Sequence, residues 1–99
     1  MIAEAEATRA EALQLGDTVK AQIQELDQRR ISIEVQGRAL MPEELVFIEK
    51  VNQLTARFSE WEREGPDLKG KPAAVLQDQQ HYLQTVKSIG EQATTLLEQ

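Results

Sequence analysis

Chemistry in this 99-residue chain would have to come from its carboxylates and its single histidine, His81. There is no cysteine, which removes disulfides, thiolate nucleophiles and thiol-based zinc sites together. Two carboxylates three residues apart on one helix can share a divalent cation, the usual arrangement of an all-α metal-dependent hydrolase. The chain contains no Glu-x-x-Glu pair. Its one Glu-x-x-Asp, Glu64–Asp67, encloses Gly65-Pro66 and is assigned to a loop. His81 has no second histidine with which to hold a metal, and no motif places a serine beside it as a nucleophile. It reads as a solvated residue on the polar side of a helix. Lys69-Gly70-Lys71 lacks the glycine-rich run and the following Ser or Thr of a phosphate-binding loop. The expectation is therefore a protein that is not an enzyme, with no catalytic or metal-binding residues, no cofactor and no evident small-molecule substrate.

What the sequence specifies clearly is helices. Phe47, Val51, Leu54, Phe58 and Trp61 recur at steps of three and four, as do Val75, Gln79, Tyr82, Val86, Ile89, Ala93 and Leu96. Each set lies along one stripe of a helix, the seam by which one helix packs on another. A third stripe runs through Leu15, Val19, Ile23, Leu26 and Ile33. Trp61 could anchor a partner, since tryptophan is enriched at binding hot spots. It continues the Phe47–Phe58 ladder by one step, however, and reads as the end-plug of a core.

The first helix is expected from residue 2 to 37, opening on Ala and Glu residues that favour helix and suit its positive end. Gly16 is an interior fault of roughly 1 kcal/mol relative to Ala, tolerated rather than helix-breaking. Residues 31–35 alternate in a way that also fits a strand, but no second strand exists to pair with them. Gly37 closes the helix as a left-handed C-terminal cap. Pro42 opens a second helix with Glu43 and Glu44 in its first turn, and Gly65-Pro66 ends it at residue 64. A third helix spans 72–98. The fold class is all-α: a three-helix antiparallel bundle, up-down-up, with a long first helix, forming one domain over residues 1–99. Its core is expected to contain Leu15, Val19, Ile23, Leu26, Phe47, Val51, Leu54, Phe58, Trp61, Leu76, Leu83, Val86, Ile89 and Leu96. The spacing from Phe58 to Leu97, with Trp61 before the loop, is similar to two helices of a spectrin-type repeat. That likeness covers under half the chain and implies a structural or adaptor role.

The net charge of −6 is unevenly spread: residues 1–38 carry −2, residues 39–67 carry −4 and residues 68–99 carry zero. An acidic chain without a basic face repels phosphate backbones and anionic membranes, so neither nucleic acid nor membrane is an expected partner. Glu4, Glu6 and Glu11 stand where a signal peptide would need a basic and then an apolar stretch, and no apolar run is long enough to span a bilayer. A cytoplasmic location is expected.

The helix lengths point to an interaction role. At 1.5 Å per residue the first helix would be about 55 Å long and the second about 33 Å, leaving the Ala-rich residues 1–14 projecting. Such an overhang frays, is covered by the third helix, or packs on another copy of the chain. Ile31 and Val35 lie off the main stripe and give the other end a second apolar face. The third helix presents Gln80 and Gln84 on a nearly uncharged surface, and depletion of charge marks contact surfaces. The sequence thus predicts a small protein-interaction or assembly module that pairs with itself through the first helix as a homodimer. Ala3, Ala7, Ala10, Ile31, Val35, Gln80 and Gln84 are its candidate interface residues. A second reading is an acidic inhibitor or chaperone that masks a basic protein with Glu43, Glu44, Glu49, Glu60, Glu62 and Glu64; a third is an all-α hydrolase that holds a metal with carboxylates in a pattern other than the paired spacing above.

Overall fold

Three helices make up the computed structural model, which describes residues 2–68 and 75–99: α1 (Ile2–Glu34), α2 (Pro42–Leu68) and α3 (Val75–Leu97). No strand occurs among the described residues, so 31–34 is helical and the alternation there is incidental. Cross-helix contacts fix the topology. Arg9 and Lys20 of α1 meet Gly65 and Glu62 of α2, so these helices run antiparallel. Arg57 of α2 reaches Gln92 and Ser88 of α3, whereas Trp61 reaches Tyr82, again antiparallel. Gln22 and Arg29 of α1 meet Thr94 and Leu97 of α3, in rising order, so α1 and α3 are parallel. The result is an up-down-up bundle, with α1 packing more extensively on α3 than on α2. It forms a rod 55 Å long.

The apolar ladders are the core. Val51, Leu54, Phe58 and Trp61 of α2 pack with Tyr82, Leu83, Val86, Ile89, Ala93 and Leu96 of α3 and with Ala12, Val19, Ile23 and Leu26 of α1. Leu15 and Phe47 are only partly buried against this cluster, and Leu76 is half-buried outside it. Gln79, the polar rung of the α3 ladder, is buried, and its Oε1 has no hydrogen-bond partner among the described residues. The first helix ends at Glu34, short of the expected 37; Gly37, three residues further on in the turn, takes the left-handed φ of +68° expected of it.

Trp61 sets the spacing of the helices at the far end. Its indole stacks on Tyr82, with centroids 4.3 Å apart and planes 11° from parallel, and lies 5.4 Å from the Phe58 ring. The indole N–H donates to the Tyr82 carbonyl at 2.8 Å, satisfying the one polar group on a ring that is 3% exposed. The ring lies on Gly16: a methyl group there would stand 2.5 Å from the indole Cη2. The helix fault at Gly16 is thus the seat that lets α2 approach α1.

The same packing overrides the stop expected at residue 64. The second helix continues through Gly65 and Pro66 to Leu68, although an interior proline costs about 3 kcal/mol of helix stability. Gly65 is buried, and a methyl on it would stand 2.5 Å from the Tyr82 hydroxyl. Its carbonyl accepts from Arg9 Nη1 at 2.9 Å, with the guanidinium 6.0 Å from the centre of the Tyr82 ring. Local propensity loses here to tertiary contact. The longer α2 also removes the overhang: Arg9 lies against both partner helices, and Ala5 and Ala12 are buried. Residues 69–71 and the start of α3 expected at Pro72 lie outside the described residues.

Gly16 yields a prediction opposite in sign to helix propensity. Gly16→Ala in an open helix would gain roughly 1 kcal/mol. Here the added methyl meets the indole, and overpacking of this kind costs about 1–3 kcal/mol. The variant is expected to have a lower thermal midpoint than the parent, with tryptophan emission shifted to the red as the ring is displaced. A raised midpoint with unchanged emission would contradict this seat.

Candidate functional site

The candidate residues of α1 fall on one line. The core side of this helix carries Ala5, Ala12, Gly16, Val19, Ile23 and Leu26, all buried. On the opposite side, Ala3, Ala7, Ala10, Gln14, Asp17, Ala21, Gln24, Gln28, Ile31 and Val35 follow one another at alternating steps of four and three. All ten are exposed. That spacing is a heptad seam, and the five α1 candidates, Ala3, Ala7, Ala10, Ile31 and Val35, are its two ends. Asp17 is the single charge among the ten. Val35 belongs to the stripe although it follows the last residue of α1, because its N–H still donates to the Ile31 carbonyl at 2.9 Å. Side chains so placed can pack on another helix.

The stripe runs into an apolar end that the sequence reading missed. Met41, Leu45 and Val46 are 58%, 54% and 50% exposed, beside Ile31 at 45% and Val35 at 74%. Leu45-Val46-Phe47-Ile48 carried the available signal: four consecutive apolar residues cannot all face one side of a helix. The turn that joins these elements is clamped by charge. Arg38 grips Glu44 with two parallel hydrogen bonds, Nη1 to Oε1 at 2.8 Å and Nη2 to Oε2 at 2.6 Å. Glu44 Oε1 also accepts from the Met41 N–H at 2.9 Å, the reach-back of a capping box at the start of α2.

The other candidates are elsewhere. Gln80 and Gln84 are exposed on α3, which packs on the opposite side of α1 from the outer stripe, so the structure does not join them to it. The glutamates of the acidic reading do not form one patch. Glu44 is held by Arg38, Glu62 lies 3.9 Å from Lys20, and Glu43 and Glu64 stand near opposite ends of α2. His81 is exposed at a shallow hollow lined by Glu64, Gln77, Asp78 and Tyr82. Among the described residues no three His, Cys, Asp or Glu side chains come together to hold a metal ion, and no helix is long and apolar enough to cross a membrane. Burial pushes the Tyr82 phenol up, with nearby Arg9 acting in the opposite sense.

No family model, no curated protein and no solved structure matches this chain.

The clamp at the turn has a defined pH signature. The hydrogen bond from Arg38, then that from the Met41 N–H, pulls the Glu44 carboxyl from its ordinary 4.5 down to about 2. A carboxyl lowered on folding stabilises the folded state fully above its unfolded value and loses that contribution as pH falls through its folded one. The clamp is therefore intact above pH 4.5 and released as pH approaches about 2. In Arg38→Ala the Glu44 side chain is expected to titrate nearer 4.5, read by carboxyl-detected NMR. A midpoint still near 2 would show that the arginine is not the cause.

Proposed function

We propose that this protein is a non-enzymatic assembly module that associates with a second copy of itself through the outer stripe of α1. The observation that carries this reading is the stripe itself: ten exposed positions in heptad spacing, nine of them uncharged, opposite the face already used for the core. A bundle of three helices needs one buried seam on each, so a second on α1 is surplus to folding.

Two further features support the same reading. Five aliphatic and Met side chains between Ile31 and Val46 are left exposed, each from 45% to 74%. Charge is also locally neutralised there. Arg30 binds Asp27 at 2.7 Å and Glu34 at 2.7 Å, and Arg38 binds Glu44. Residues 27–46 carry three basic and four acidic side chains, net −1, in a chain of −6. Two copies meeting at this end avoid most of the repulsion between their total charges.

The test is molar mass by light scattering over a concentration series, for the parent and for Ile31→Glu/Val35→Glu. The parent is expected to form a dimer in the micromolar range. The double variant is expected to stay folded, because both side chains are exposed, and to associate at least tenfold more weakly. A parent that remains a monomer at every concentration, with its stability unaltered by the two substitutions, would refute the proposal.

A further inference from the structure

The last turn of α2 has little of its own to hold it. Gly65 and Pro66, the two poorest helix formers, stand side by side there. Pro66 has no N–H to give the Glu62 carbonyl, and past it only the Asp67 and Leu68 amides remain to donate back along the helix. The turn carries no basic residue, while Glu64 and Asp67 add negative charge to the negative end of the helix dipole.

Support comes from the other two helices instead. Arg9 of α1 gives the Gly65 carbonyl the donor that a helix end lacks, at 2.9 Å, and sets a cation at the negative pole. The same guanidinium lies 6.0 Å from the centre of the Tyr82 ring on α3. The Tyr82 hydroxyl in turn sits 2.5 Å from where a methyl on Gly65 would stand, so ring and backbone are in close contact.

We infer that residues 65–68 form a strap over Tyr82 that opens on its own, with Arg9 as its latch and Gly65-Pro66 as its hinge. Local sequence favours the open state and contacts from α1 and α3 favour the closed one, the condition for a segment that opens below the free energy of global unfolding. The core cluster continues from Trp61 and Tyr82 along the rod to Leu26 and Leu96, so the three helices remain packed when the strap lets go. Opening takes the Gly65 carbonyl off Arg9 and uncovers Tyr82, which is 2% exposed when the strap is closed. It thereby enlarges the shallow hollow that Tyr82 lines with Glu64, Gln77, Asp78 and His81.

Tyr82 is the chain's only tyrosine, so its accessibility is read without interference. Amide hydrogen exchange and nitration of Tyr82 by tetranitromethane are followed in the parent, Arg9→Met and Pro66→Ala, over a range of low urea concentrations. In the parent, protection at Asp67 and Leu68 is expected to be insensitive to urea, as for a small local opening, while Val86 and Ile89 lose protection steeply. Arg9→Met is expected to lower protection at Asp67 and Leu68 by about tenfold or more, the effect of losing a hydrogen bond from a charged donor. Pro66→Ala restores the missing N–H and is expected to raise that protection, and to slow nitration, by one common factor of about fivefold or more. If the parent's Asp67 and Leu68 amides share the urea slope of Val86 and Ile89, there is no separate strap, and this result needs no variant to fold. A change of less than about twofold in Arg9→Met, or nitration unmoved by Pro66→Ala while exchange slows, also overturns the inference.

Discussion

An indole lying on a glycine governs how the three helices of this protein sit together. Trp61 enters from α2, rests on Gly16 of α1, and gives its one hydrogen to the backbone of α3 at Tyr82. A flat ring of that size tolerates little displacement, because interiors are packed to the density of organic crystals. Its position therefore transmits a constraint to all three chain segments. The approach of α2 to α1 is set by the absent side chain at residue 16, and the height of α3 by the carbonyl at residue 82. Tyr82 stacks on the indole and places its hydroxyl 2.5 Å from where a methyl on Gly65 would stand. Arg9 then bridges the Gly65 carbonyl and the Tyr82 ring. Five residues scattered through the sequence thus form one joint, and α2 holds its helical form across a proline as a consequence.

This joint explains which features were legible in the sequence. The ladders of α2 and α3 were readable because large apolar residues recur at 3–4 spacing with polar residues between them. Trp61 could be placed in the core from its ladder position alone. Gly37 and Pro42 were readable for another reason: caps are local, and a left-handed glycine or a first-turn proline acts within its own few residues. Gly16 and Gly65 were not readable as packing residues, since their meaning lies in side chains 45 and 17 positions away, Trp61 and Tyr82. Pro66 misled for the same reason. Its propensity argues for a stop, and only tertiary contact argues for continuation.

The site was half legible, and α1 shows why. Alanine serves on both of its faces: Ala5 and Ala12 are buried, while Ala3, Ala7, Ala10 and Ala21 are exposed. A helix whose small residues lie all round has little contrast between its sides, so the apolar residues alone do not separate the inner seam from the outer one. Ile31 and Val35 stood out only by lying off the main stripe. Once burial distinguishes the faces, the polar residues Gln14, Asp17, Gln24 and Gln28 fall into line with the alanines and complete the second seam. Gln80 and Gln84 were selected by composition rather than by position, and composition does not say which helix face meets which.

The strength of pairing through such a seam is limited by its own residues. Ile31 and Val35 are 45% and 74% exposed, and covering them recovers roughly 1–2 kcal/mol apiece. Alanine and glutamine layers add close contact but little apolar area, and desolvating Asp17 subtracts from the total. Met41, Leu45 and Val46 add exposed apolar surface just past the end of α1. Each copy meanwhile fills its core with its own side chains, so the fold does not require the partner. The proposed pairing is therefore one that concentration would govern, not one that folding requires.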